Sequence, residues 1–111
     1  MHQVLILHEN AVATVVARGE FDAFAAPELE RALDELGSAG RVLVDLSSVA
    51  FLDSTALGCI VRASRACEER HALLRIVLPR GDARRIFEIT TLDDALPVAE
   101  SRQAALTELS G

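Results

Sequence analysis

The chain has 111 residues, half of them apolar and a quarter charged, which is the composition of one globular domain rather than of a disordered segment. Its net charge is −6, and all eleven basic residues are Arg, so electrostatic binding to nucleic acid or to an anionic membrane is disfavoured. With four Phe and no Trp or Tyr, the core must be built from Leu, Val, Ile and Ala.

Two strands are predicted first, over residues 4–8 and 11–18, because both segments are rich in aliphatic and β-branched residues. Glu9-Asn10 is the predicted turn between them. The segment Gly19-Glu20-Phe21-Asp22 interrupts the pattern and is expected to follow the second strand as a loop.

A helix is predicted to start near Ala25-Ala26-Pro27, since Pro suits the first helical turn. Its apolar stripe has helical spacing and ends before Gly37 or Gly40; the stripe consists of Leu29, Ala32, Leu33 and Leu36. Residues 41–46 form a nearly continuous apolar run, which is typical of a central strand that is covered on both faces.

The most informative stretch covers residues 49–58, an apolar run that stops at Asp53, Ser54 and Thr55 and continues as a helix to about residue 70. Backbone N–H groups point outward at a helix start and the dipole is positive there, which favours a covalent phosphate on a hydroxyl. The simpler alternative is capping: Asp53 accepts a hydrogen bond from the N–H of Ala56, and Ser54 is a cap or a first-turn hydroxyl.

The rest of the chain continues the alternation of strands and helices. We predict a buried strand over residues 73–78, a short helix over 83–89 and an edge strand over 96–98. A final helix begins at the cap Ser101, with Ala104, Ala105 and Leu109 on its inner face. The order ββαβαβαβα predicts a single α/β domain over residues 1–111, in which helices cover a mixed, mostly parallel sheet.

The two cysteines, Cys59 and Cys67, lie eight positions apart on one predicted helix. Helix rise alone separates them by about 12 Å, too far for a disulfide, so we interpret them as small core or interface residues in a reducing compartment. The sequence has neither the features of a signal peptide nor an apolar run that approaches a membrane span. These observations predict a soluble, cytoplasmic protein that does not bind membranes.

Patterns that indicate catalysis are missing from the sequence. Ser54 lacks the flanking glycines of a nucleophile elbow, and the histidines, His2, His8 and His71, fall near a terminus or at the ends of predicted elements. A phosphate-binding loop that ends in Lys-Ser/Thr is excluded because the chain contains no Lys, and the scattered His and Cys do not have the spacing of a metal site. We therefore expect no enzymatic activity, no cofactor and no metal.

Three carboxylates are candidates to lie near Ser54. Asp53 adjoins it, Asp22 follows the second predicted strand, and Asp45 belongs to the third, two residues before Ser47. Two carboxylates side by side can perform acid–base catalysis, as in glycoside hydrolysis. The aromatic residues that bind a sugar do not accompany these three, which argues against that function.

Four segments follow one another along the chain: Gly19-Glu20-Phe21-Asp22; Val44-Asp45-Leu46; Asp53-Ser54-Thr55-Ala56-Leu57-Gly58; and Pro79 with Arg85-Ile86-Phe87-Glu88 before Thr91-Leu92. Together they cover essentially the whole chain and resemble a stand-alone STAS domain of the bacterial anti-sigma-factor antagonist kind. The architecture of that family agrees with the element order predicted independently.

The resemblance implies a partner-switching regulator of transcription. In such proteins an anti-sigma factor with serine kinase activity phosphorylates the serine that corresponds to Ser54, and Thr55 is the candidate secondary acceptor. The unmodified antagonist binds the anti-sigma factor and frees the sigma factor, the phosphorylated form lets go, and a phosphatase restores the first state. The partner supplies ATP and Mg²⁺, so this chain is the substrate.

The resemblance also implies a partner surface along the outer face of the helix that follows Ser54. Its candidate residues are Asp22, Asp53, Ser54, Thr55, Gly58, Cys59 and Arg62. An equal alternative is that Arg62 and Arg65 belong to a solvated face, with Arg65 paired to Glu69. The family usually has Gly where this chain has Ala56, and we expect the added methyl to crowd an approaching kinase.

Two further functions remain open at this stage. The chain is alternatively a STAS subunit that docks, unmodified, on the ATPase of a membrane transporter, or else a small enzyme or nucleotide-binding domain. Edge strands and an apolar helix face are compatible with a monomer or a weak dimer.

Overall fold

A computed structural model describes residues 1–78, 81, 84–85 and 96–110. Within them the chain forms, in order, β1 (His2–Glu9), β2 (Val12–Phe21), α1 (Ala26–Glu35), β3 (Arg41–Leu52), α2 (Ser54–Glu69), β4 (Leu73–Val77), β5 (Val98–Ala99) and α3 (Arg102–Ser110). The helix predicted over residues 83–89 lies outside the described residues except for Arg84 and Arg85, and so does most of the segment from Pro79 to Leu92.

The strands form one sheet in the order β1-β2-β3-β4-β5. β1 is antiparallel to β2, and every following pair is parallel, which confirms the predicted mixed, mostly parallel sheet. The short β5 lies at the edge directly after Pro97, the position at which a proline costs the sheet least.

Helices pack on both faces of this sheet. α1 and α2 cover one face, over a core that includes Phe21, Leu29, Val44, Ile60 and Ile76. α3 covers the other face, over a smaller cluster that consists of Val12, Leu43, Val77, Ala99, Ala105 and Leu109. The alternation of Leu43 and Val44 between the two clusters explains why β3 reads as a continuous apolar run.

Three predicted strands are longer than expected, and the first of them, β1, runs from His2 to Glu9. β2 continues through the segment from Gly19 to Phe21, and β3 continues to Leu52, so the segment interpreted as a loop after residue 18 is strand. β2 stays paired with β3 through this segment because the register shifts twice, between Val16 and Arg18 and between Gly19 and Glu20. Phe21 then aligns with Leu52. The first turn is also displaced, since Asn10 and Ala11 have the positive φ values of the turn.

The last helix confirms its predicted cap but not its whole inner face. The hydroxyl of Ser101 accepts a hydrogen bond of 3.1 Å from the N–H of Ala104. Ala105 and Leu109 are fully buried, as predicted, whereas Ala104 is exposed. Ala105 and Leu109 are four residues apart and share one stripe, and Ala104 lies about 100° away around the helix.

Gly19 is required where β1 begins beside the end of β2. Its φ is +96°, and a Cβ placed there would lie 2.2 Å from the carbonyl oxygen of Met1. That same oxygen accepts a 3.1 Å hydrogen bond from the N–H of Glu20. A side chain at this position therefore meets fixed backbone as well as an unfavourable dihedral.

We expect Gly19→Ala to lower the free energy of unfolding by about 1–3 kcal/mol, the usual cost of a strained backbone position. Gly40→Ala is the matched control, because no atom lies within 4 Å of a Cβ built there. Urea denaturation of both variants measures the difference. Equal losses in the two variants would contradict a specific role for Gly19.

Candidate functional site

The candidate site lies at the end of the sheet where the two neighbouring parallel strands β2 and β3 stop. The N–H of Asp53 donates a 3.0 Å hydrogen bond to the carbonyl of Phe21, which holds the two strand ends side by side. α2 begins at the next residue, Ser54, and α1 begins a few residues after Phe21. α1 and α2 therefore both begin at this same end of the sheet.

Asp53 caps α2 as predicted. Its backbone is extended, with φ −89° and ψ 176°, and its carboxylate accepts a 3.0 Å hydrogen bond from the N–H of Ala56. Ser54 and Thr55 are exposed, and within the described part of the chain neither hydroxyl makes a hydrogen bond. Two accessible hydroxyls thus stand at the positive end of the helix dipole.

Asp22 performs a similar task at the neighbouring strand end. Its carboxylate accepts a 3.0 Å hydrogen bond from the N–H of Ala25, and its carbonyl accepts one from the N–H of Ala26. The carboxylates of Asp22 and Asp53 are therefore both used to hold turns that lead into helices. One carboxylate therefore follows each of two neighbouring strand ends.

Asp45, the third candidate carboxylate, contacts Ser47 and Arg102 and does not join this site. It is buried and turned toward α3, where it accepts hydrogen bonds from the N–H and the hydroxyl of Ser47. Arg102 of α3 pairs with it at 3.3 Å. The alternation of side chains along β3 directs Asp45 away from the face that carries α1 and α2.

Ala56 is fully buried in the core under α2. Its methyl group therefore faces away from the surface that carries the Ser54 hydroxyl. The expectation that this methyl crowds an approaching kinase is wrong for that reason.

Cys59 also faces inward, so the expectation that it extends an exposed partner surface is wrong. Only 4% of the residue is accessible, and its thiol donates to the carboxylate of Glu30 on α1 at 3.2 Å. Arg62, one turn later, donates to the same carboxylate at 2.8 Å. Helical spacing placed these residues on one face but did not show that this face meets α1.

Two further expectations for α2 have different outcomes. Cys59 and Cys67 are both buried free thiols, which confirms their interpretation as unpaired interior residues. Between the described residues Arg65 and Glu69, both exposed, no ion pair forms. Gly58 is partly exposed, and a Cβ there would touch the guanidinium of Arg62 at 3.4 Å.

The contact between α1 and α2 shifts the pKa values of two of its members, Cys59 and Glu30, in opposite directions. Burial, and secondarily the hydrogen bond to Glu30, raises the pKa of the Cys59 thiol to about 11. The same thiol, and then Arg62, lowers the pKa of Glu30. A thiol that stays protonated at neutral pH is a poor nucleophile, so Cys59 is suited to packing rather than to reaction.

Two aromatic residues beside the site were missed at the level of the sequence. Phe24 is 87% exposed in the turn before α1, and Phe51 is 49% exposed near the end of β3. The sequence offered one signal that Phe24 is exposed: it lies two residues after Asp22 and outside the apolar stripe predicted for the following helix. Among the described residues, no group of three or more His, Cys, Asp or Glu side chains is placed to hold a metal ion, and no helix is long and apolar enough to cross a membrane.

The fold and the site define a small mixed α/β domain that presents a capped helix start at its surface. Residues 3–105 match the model of the STAS domain family, and the chain belongs to that family. It is 34% identical to the anti-sigma-B factor antagonist of Staphylococcus aureus over 87 residues, which are 77% of this chain and 81% of that protein.

Solved structures agree with this assignment. An anti-sigma factor antagonist from Mycobacterium paratuberculosis has a TM-score of 0.89 and 26% sequence identity, with 100% of this chain and 96% of that chain covered. The Bacillus cell fate determinant SpoIIAA in its phosphorylated form shares the fold, with a TM-score of 0.70, 16% identity, and 97% and 98% of the two chains covered.

The cap at Asp53 predicts a stability effect that depends on one acceptor oxygen. Asp53→Ala is expected to lower the free energy of unfolding by about 1 kcal/mol, whereas Asp53→Asn keeps an acceptor for the N–H of Ala56 and retains most of it. Urea denaturation of the three proteins tests this. If Asn proved as damaging as Ala, negative charge rather than the cap would be the stabilising feature.

The raised pKa of Cys59 predicts a loss of stability in alkali. An unfolded thiol ionises near pH 8.5, so stability that is fully present below that pH falls as the pH rises toward about 11, with a slope of at most about 1.4 kcal/mol per pH unit. Because the chain contains no Lys and no Tyr, few other side chains titrate in this window. Cys59→Ala is the control, and unfolding measured from pH 8 to 11 should show a flatter profile for it. Parallel profiles would contradict the assignment.

Proposed function

We propose that this chain is an anti-sigma-factor antagonist whose unphosphorylated form binds an anti-sigma factor with serine kinase activity, and that phosphorylation of Ser54 ends the binding. The observation that carries the proposal is the exposed Ser54 hydroxyl at the first residue of a capped helix. The name of the Staphylococcus aureus relative supports the choice of partner.

Ser54 is suited to accept a phosphate without disturbing the fold. Its neighbours Asp53 and Ala56 are held by the cap and the core, so the hydroxyl projects from a fixed backbone. A phosphate would add about −1.5 to −2 charge at the positive end of α2, where helix N–H groups and the dipole favour anions. Thr55 is exposed too and is the secondary acceptor in this proposal.

In this proposal a phosphate on Ser54 weakens the binding of the partner, because the partner would have to make room for it and desolvate it. A surface packed on Ser54 would have to accommodate the added group and remove water from a charge flanked by Asp22 and Asp53. Switches of this kind typically change binding by about 1–3 kcal/mol, or roughly 5- to 150-fold. The solved structures of SpoIIAA in its unphosphorylated and its phosphorylated form both share this fold, with TM-scores of 0.73 and 0.70, which agrees with release by a surface change rather than by refolding.

The rest of the cycle belongs to partners. The anti-sigma factor supplies ATP and Mg²⁺ and acts as the kinase, the freed sigma factor acts in transcription, and a phosphatase restores the binding form. In this proposal the chain works in the bacterial cytoplasm and contributes a surface and an acceptor hydroxyl.

Ser54→Ala is expected to abolish labelling by ATP and the kinase while the affinity for that kinase stays within a few-fold, because the change removes one exposed oxygen. Thr55→Ala is the matched control, since it removes the neighbouring exposed hydroxyl and should leave labelling intact. Intact-mass spectrometry counts phosphates, and calorimetry measures binding.

Two results would count against this proposal. Full labelling of Ser54→Ala together with none of Thr55→Ala would move the acceptor to Thr55. Native protein that carries no phosphoserine and copurifies with a transporter ATPase would favour a STAS subunit of a membrane complex instead.

A further inference from the structure

β1 is an edge strand that lacks the features by which proteins protect the edges of their sheets. Among the described residues its one neighbour in the sheet is β2, and the two strands pair in a regular register without a bulge. Residues 2–8 contain no proline and no Asp, Glu, Lys or Arg. Exposed edges are normally short, bulged, charged or interrupted by proline. The opposite edge follows that rule, since β5 has two residues and comes directly after Pro97.

The register shows which backbone groups of β1 point away from the sheet. The N–H of Glu20 donates a 3.1 Å hydrogen bond to the carbonyl of Met1, the residue opposite it, so these two form a hydrogen-bonded pair of the antiparallel ladder. Hydrogen-bonded and non-hydrogen-bonded pairs alternate along such a ladder. The odd-numbered residues of β1 therefore bond to β2. The even-numbered residues point their N–H and C=O groups outward; they are His2, Val4, Ile6 and His8.

The side chains of β1 are arranged almost symmetrically about Leu5. Val4 and Ile6 lie on either side of it and pack against the core under α1 and α2, and a histidine stands at each end of the run. Leu5 and Leu7 lie on the other face of the sheet, where Leu5 is partly exposed and Leu7 is 37% exposed. The strand therefore reads nearly the same in both directions, a pattern that suits antiparallel pairing with an identical strand.

Pairing two copies antiparallel about Leu5 satisfies the outward backbone groups. Residue 2 then faces residue 8 of the second copy and residue 4 faces residue 6, so every outward residue meets another outward residue. Each of these four pairs exchanges two hydrogen bonds, or about eight in total. Because residues 2–8 contain no acidic or basic side chain other than histidine, two chains of net charge −6 meet there without carboxylates directly opposite each other.

We propose that a second copy of this chain pairs with the edge of β1, antiparallel and centred on Leu5, and joins two five-stranded sheets into one. A contact of about seven residues on each copy is small for an interface, so we expect a reversible dimer with a dissociation constant of about 10–100 µM. The pairing reverses the second copy, so the two sheet ends that carry Ser54 point in opposite directions. The proposal goes beyond the proposed function and does not depend on it.

Disulfide crosslinking tests the pairing and its register. In the proposed dimer Leu5 forms a non-hydrogen-bonded pair with Leu5 of the second copy, with Cα atoms about 4.5 Å apart, a separation that a disulfide bridges. Leu5→Cys is therefore expected to form covalent dimers when oxidised with copper phenanthroline. Leu7→Cys alone is not, because Leu7 faces Gln3 of the second copy, but a mixture of Gln3→Cys and Leu7→Cys should crosslink. Non-reducing electrophoresis measures the products, and the native thiols are buried.

Random collision predicts a different order of crosslinking. Leu7 is more exposed than Leu5, so collisions alone would crosslink Leu7→Cys at least as fast as Leu5→Cys. Leu73→Cys is the matched control, because Leu73 is 40% exposed at the start of β4, away from the edge of β1. Leu5→Cys is expected to crosslink at least about tenfold faster than either, since pairing raises the effective concentration of the two thiols.

A charge exchange tests the association without a covalent bond. Sedimentation velocity of the native chain should show a dimer that forms reversibly with concentration. Leu5→Lys and Leu5→Glu each place like charges directly opposite at the centre of the pairing, so each is expected to be monomeric, and an equal mixture of the two should recover the dimer. Thermal unfolding checks that both variants are folded; if either is not, the cysteine comparison decides.

Three results would overturn the proposal. The first is a native chain that remains monomeric at about 1 mM, tenfold above the weakest expected dissociation constant. The second is crosslinking of Leu7→Cys or Leu73→Cys as fast as that of Leu5→Cys. The third is a dimer that persists in both charge variants, which would place the contact elsewhere. None of these measurements involves the anti-sigma factor, so each leaves the proposed function to its own test.

Discussion

One hydrogen bond organises the end of the sheet that carries the candidate site, the bond from the N–H of Asp53 to the carbonyl of Phe21. It extends the pairing of two parallel strands to their last residues, and parallel strands necessarily deliver their following helices to the same edge. Because the backbone of Asp53 is held to β2, its carboxylate is positioned to cap α2. Asp22, directly after Phe21, holds the turn into α1 in the same way.

The residues of α2 divide into a buried stripe and an exposed start. Ala56, Leu57 and Ile60 are buried under the helix, whereas Ser54 and Thr55 stand at its exposed start. A modification of either hydroxyl therefore alters the surface and leaves the core packing intact. The thiol of Cys59 and the guanidinium of Arg62 share the Glu30 carboxylate of α1, so two helices are joined along their contact. α2 is therefore held by the core through its buried stripe and by α1 through the Glu30 carboxylate.

The features predicted correctly from the sequence are those that depend on neighbouring residues. The cap at Asp53, the buried strands and the edge position of β5 each depend on a few adjacent residues, and the structure has them. The errors concern contacts between distant segments. Gly19 was interpreted as the end of a strand because glycine usually interrupts one, but here its positive φ and its closeness to Met1 let the strand continue. Helical spacing likewise could not reveal that Cys59 faces α1.

Phe24 and Phe51 were missed for a different reason. An apolar residue is normally expected in the core, and only the three-dimensional positions of these two show that neither reaches it. Their exposure leaves the core under α1 and α2 to Phe21 and to aliphatic side chains. Under the proposed function, a phosphate on Ser54 has to change binding by only about 1–3 kcal/mol, and a fold held by its core and by the cap of α2 does not have to rearrange for that.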